Sequence, residues 1–168
     1  MTPMVDGSND MVWIELSDEP LEAARAMAWA STGDCGAVVT FCGTVRNSSE
    51  GRPDVTNLEY EAYAGAAERR LRDVAEAARG RWTEVRRVAL LHRVGALAVG
   101  DVAVVVVVAS PHRDGAFAAA QYCIDTLKAT VPIWKRETWA HGREWALDPH
   151  PLAASATSSA VEERSVDQ

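Results

Sequence analysis

Residues 101–138 read DVAVVVVVASPHRDGAFAAAQYCIDTLKATVPIWKRET, and this stretch decides the fold. Val102 to Ala109 is the longest unbroken apolar run in the chain, and its valines mark a strand, Asp101 to Ser110, buried on both faces. Asp114 then caps a helix over about Gly115 to Thr130, with Phe117, Ala120, Ile124 and Leu127 as its core-facing stripe. Pro132 forbids further helix, because it has no amide hydrogen and its ring clashes with the preceding turn. Ile133 to Thr138 is therefore extended.

The upstream sequence repeats this mixture of elements with short connections. Val12 to Leu16 reads as a strand, followed by a helix capped at Ser17 or Asp18, with Pro20 in its first turn and Gly33 at its end. Gly36 to Arg46 alternates with period two: Ala37, Val39, Phe41, Gly43 and Val45 share one face, and the other turns polar towards Arg46. Residues 47–54, rich in Ser, Gly and Pro, form a loop. Asn57 to Tyr63 is a strand, and Ala67, Leu71, Val74, Ala75 and Ala78 make the stripe of a helix that Gly80 stops. Val85 to Val94 is a further strand, and Gly95 and Gly100 bracket a turn. The order predicts an α+β fold with a largely antiparallel sheet. It divides into a flexible N-terminus over 1–10, one domain over 11–147, and a disordered acidic tail over 148–168.

Composition narrows the function. Apolar residues make up 48% of the 168 residues and charged residues 24%, which suits a globular core. No apolar run approaches the roughly 20 residues of a membrane-spanning helix, and residues 1–10 lack the basic start and apolar stretch of a secretory signal. A cytoplasmic protein is the expectation. Cys35, Cys42 and Cys123 form no CxxC pair and read as small buried residues, not a disulfide framework. His92, His112, His141 and His150 have no partner at ligand spacing, so neither a metal site nor a bound cofactor is expected. The net charge of −7 argues against nucleic-acid binding, yet the acids crowd the two ends and leave the middle free to hold an anion.

Of 17 basic residues only Lys128 and Lys135 are lysines. Lys can give up its proton when desolvated or set beside another cation, whereas Arg effectively cannot. Two readings of Lys128 stand: a cation complementing the end of its helix, or half of a pair that converges with Lys135 across Pro132. His112 and Arg113 sit where a strand feeds a helix, which fits either an anion site or a solvated cation. Trp134, Trp139 and Trp145 read as core or interface residues.

Several segments, in order, resemble the large subunits of molybdopterin synthases: GAVVTFCGTVRN (36–47), LEYEAY (58–63) with RW (81–82), LHRVGALAVGD (91–101), and Ser-x-His-Arg followed by Lys and Pro-Ile-Trp-Lys within 110–137. The resemblance covers residues 12–145. It implies an α/β hammerhead-type fold with an added small β subdomain, and a sulfurtransferase that installs the dithiolene sulfurs of molybdopterin in cyclic pyranopterin monophosphate. It also implies a small ubiquitin-like partner whose C-terminal Gly-Gly ends in a thiocarboxylate, and a homodimer at the core of a heterotetramer. By motif, Lys128 and Lys135 would be catalytic. Arg46, His112 and Arg113 would hold the substrate's phosphate, with Arg143 near the same pocket, and some of these would come from the other chain of a dimer. Pro111 stands where the family more often has Ala. A subunit that binds but does not convert the pterin, and a transferase for another phosphorylated metabolite, are the rival readings.

Overall fold

The computed structural model describes residues 11–49 and 51–146. The flexible start and the acidic tail expected from the sequence lie outside the described residues.

Two four-stranded sheets carry the fold. The first has the order β1 (Val12–Ser17), β4 (Arg87–Arg93), β6 (Val102–Ser110), β2 (Ala37–Thr44). Only β1 and β4 run parallel; β4 with β6 and β6 with β2 are antiparallel. Side chains alternate across a strand, so β6 supplies two cores at once. Val104, Val106 and Val108 meet α2 (Ala64–Arg81) and α3 (Arg113–Thr130), while Val105, Val107 and Ala109 meet α1 (Ala23–Ala30). Two-sided burial is as the unbroken valines predict. The second sheet has the order β5 (Gly95–Ala98), β3 (Val55–Ala62), β7 (Ile133–Trp139), β8 (Gly142–Ala146), all antiparallel. Val45, Val55, Leu58, Leu97 and Ala103 form a smaller core between this sheet and the first. The α+β class with mostly antiparallel strands holds.

Some local expectations are corrected. α1 begins at Ala23, so Pro20 precedes it. α2 runs through Gly80 to Arg81, because its buried stripe of Ala67, Leu71, Val74, Ala75 and Ala78 outweighs the roughly 1 kcal/mol cost of one helical glycine. Residues 95–98 form a strand, not part of a turn, because β3 offers them a pairing edge. His112, not Asp114, occupies the N-cap of α3. Phe117 is exposed; the helix buries Ala116, Ala119, Ala120, Cys123 and Leu127, small residues that let it lie close to the sheet. Cys123 is buried, but Cys35 is only partly covered and Cys42 is exposed, because β2 is the edge strand. Among the described residues no helix is long and apolar enough to cross a membrane.

Candidate active site

The break at Pro132 builds the site. Val131 takes an extended conformation, as a residue before proline must, and ends α3 one turn after Lys128. The chain then enters β7, where Lys135 lies opposite Tyr60 of β3. Lys128 and Lys135 thus belong to different layers yet line one cavity of about 390 Å³, with Thr44, Tyr60, His92 and Trp134 also in its wall. That volume suits a small-molecule site. The convergence anticipated across Pro132 is present in the structure.

The two lysines have different surroundings. Lys135 Nζ lies 3.0 Å from Glu137 Oε1. Residues two apart on a strand share a face, which puts this carboxylate beside the cavity. The other oxygen, Oε2, accepts hydrogen bonds from the Ser49 hydroxyl at 2.8 Å and from Arg52 at 3.0 Å. Burial alone would raise the Glu137 carboxyl's pKa, but the donors Lys135, Ser49 and Arg52 prevail and hold it below its ordinary value. Arg52 also stacks 4.6 Å from the Trp139 ring centroid and pairs with Glu144 at 2.6 Å. Loop 47–54 is therefore bolted to β7 through the same carboxylate that anchors Lys135. Lys128 has no carboxylate partner among the described residues.

The expected anion-holding residues are not gathered here. Arg46 is exposed, two residues beyond cavity-lining Thr44, about 7 Å along an extended chain. His112 and Arg113 are exposed at the start of α3. Lys128 lies 15 residues after Arg113 on one unbroken helix, which separates them by about 22 Å. Arg143 pairs with Thr138 across β7·β8, on the face opposite Lys135, and bonds Glu59 at 2.6 Å. Glu59 also binds Arg136, and these two arginines lower its carboxyl's pKa, that of Arg136 most.

Sequence reasoning passed over three residues of the cavity region. Glu137 was detectable as the period-two neighbour of Lys135. Tyr60 and His92 were not, because β3 and β4 reach the cavity only through long-range pairing. Burial, helped by the Glu137 charge, pushes the Tyr60 phenol up to about 12. Burial also pushes the His92 imidazole down to about 4, with the charge of Lys128 adding to the effect.

Comparison with known proteins bears on the family and the fold. The family model described as MoaE protein matches residues 16–130. The molybdopterin synthase catalytic subunit of Nostoc sp. (strain PCC 7120) is 43% identical over 142 residues, covering 84% of this chain and 82% of that protein. The crystal structure of molybdopterin synthase from Staphylococcus aureus superposes with a TM-score of 0.75 at 36% identity, covering 79% of this chain and 95% of that one. A complex of subunits 1 and 2 of molybdopterin-converting factor from Helicobacter pylori shares the fold, with a TM-score of 0.65 at 21% identity over 88% of this chain and 99% of that one.

Proposed function

The chain belongs to the MoaE protein family, whose members include molybdopterin synthase catalytic subunits, and from that premise we propose how its cavity works. The protein is a sulfur-transferring enzyme of molybdenum cofactor biosynthesis that forms molybdopterin. The observation that carries the mechanism is the meeting of its only two lysines in one cavity. The substrate is cyclic pyranopterin monophosphate, and the sulfur arrives as the C-terminal Gly-Gly thiocarboxylate of a small ubiquitin-like partner subunit in the cytoplasm. The fixed Glu137 partner suits Lys135 to orienting the thiocarboxylate and stabilising the oxyanion that develops on its carbonyl. Lys128, with no carboxylate holding it, moves the proton at the pterin side chain.

The phosphate shell draws on a second copy of the chain. Because His112 and Arg113 stand about 22 Å from Lys128 along α3, one chain does not present all three to one small molecule. In a homodimer, His112, Arg113 and Arg143 of one chain complete the cavity of the other, with Arg46 at its mouth. Guanidinium forks are suited to bidentate phosphate binding. The test is conversion of cyclic pyranopterin monophosphate with thiocarboxylated partner, using wild type, Lys128→Ala and Lys135→Ala. Each substitution is expected to lower turnover about 10²- to 10⁴-fold, Lys128→Ala at unchanged melting temperature and Lys135→Ala at a lowered one, because it strips the buried Glu137 of a partner. Retained conversion in both variants would point to a different reaction at this site.

A further inference from the structure

His92 is a buried titratable residue with no part in the mechanism above. It lies on β4, is 6% exposed, and forms part of the cavity wall. Its Nδ1 lies 2.7 Å from the backbone carbonyl oxygen of Arg93. A carbonyl only accepts, so Nδ1 carries the hydrogen, and in the neutral ring Nε2 is a bare lone-pair acceptor. With a pKa near 4 the ring is neutral at neutral pH. No side chain or amide among the described residues donates to Nε2. Tyr60 packs edge-on against the imidazole, with centroids 5.1 Å apart and planes at 78°, and fixes its orientation. The Tyr60 hydroxyl keeps its proton, so the cavity wall carries a donor as well as this acceptor. Nε2 is not among the fully buried polar atoms left without a partner, so this acceptor is open to the cavity, where a ligand or water can reach it.

We infer that His92 is a substrate-reading residue, whose Nε2 accepts a hydrogen bond from an N–H on the heterocycle held between Lys128 and Lys135. The inference rests on the functional reading above. It assigns the uncharged wall of the cavity to the ring of the substrate and the cations to its reacting and phosphate ends. The cavity volume, that of a small-molecule site, favours the heterocycle over an extended peptide tail as the donor.

Two substitutions separate reading from scaffolding. His92→Asn keeps an amide N–H where Nδ1 was, for the Arg93 carbonyl, and removes the acceptor in the cavity. His92→Gln places an amide oxygen near the former Nε2 and gives up the backbone bond. Calorimetric titration of the full chain with cyclic pyranopterin monophosphate is expected to show affinity weakened about tenfold in the Asn variant and changed less than about twofold in the Gln variant. The opposite order, or equal affinities, would mean that His92 is merely structural. Failure of wild type to bind the pterin overturns the functional reading and the inference with it. Wild-type binding with an unchanged Asn variant overturns the inference alone. Should either variant unfold, ¹⁵N spectra of histidine-labelled wild type decide. The unprotonated Nε2 resonance is expected to move upfield on saturation with the pterin, with the tautomer unchanged. No movement refutes the inference, as does movement seen only with a Gly-Gly-terminated peptide.

Discussion

Replacing Glu137 by Gln tests the network that anchors Lys135. The carboxylate is 3% exposed and faces Lys135 at 3.0 Å, Arg52 at 3.0 Å and Ser49 at 2.8 Å. Glutamine keeps the size and one acceptor oxygen, which preserves the Ser49 bond, but leaves Lys135 without its counter-charge and Arg52 with Glu144 alone. Breaking a wholly buried pair costs about 3–5 kcal/mol. Here the Lys135 and Arg52 side chains are 27% and 25% exposed, so water recovers part of that loss and about 2 kcal/mol remains. Urea denaturation at neutral pH measures this difference directly. Because folding lowers the Glu137 pKa, the carboxylate's contribution is complete above the ordinary carboxylate range and is lost as pH falls through the folded value. The gap between wild type and variant therefore closes on acidification. Turnover falls more than substrate affinity, since Lys135 remains in the cavity but is no longer held. A difference below about 0.5 kcal/mol at neutral pH, or one that widens in acid, would refute the reasoning.

Other outcomes follow from the same structure. If one site uses two chains, Lys135→Ala and Arg113→Ala proteins, each inactive alone, regain activity when refolded together; no recovery in the mixture would place every site residue in one chain. Cys42, exposed on an edge strand, reacts with a thiol reagent in the folded protein, whereas burial that raises the Cys123 thiol to about 12 keeps it inert until denaturant is added. Mass mapping of the labelled cysteines checks both statements.

The elements legible from sequence were those whose signal is local and periodic. The valines of β6 and the five-residue stripe of α2 specify burial by themselves, and Pro132 announces the turn that brings the lysines together. What escaped depends on distant partners. β5 is four residues long and exists because Asn57 to Tyr60 pair with it, and β8 exists because β7 does. Phe117 was assigned to the core on hydrophobicity, whereas the close approach of α3 to the sheet selects alanines for that face. Glu137 and His92 acquire their roles from Ser49, Arg52 and Tyr60, whose proximity no spacing rule encodes.

The two-sided burial of β6 also bears on how the nascent chain avoids aggregation. Its run of valines is uncharged, proline-free and strongly β-forming, the composition of segments that stack between chains when left uncovered. Translation delivers its pairing edges first: β2 and β4 both precede it. α3, which seals one face, follows within three residues of the strand's end. The most adhesive segment of the polypeptide thus emerges between templates already made and a cover about to form, which shortens the time it spends bare at the ribosome.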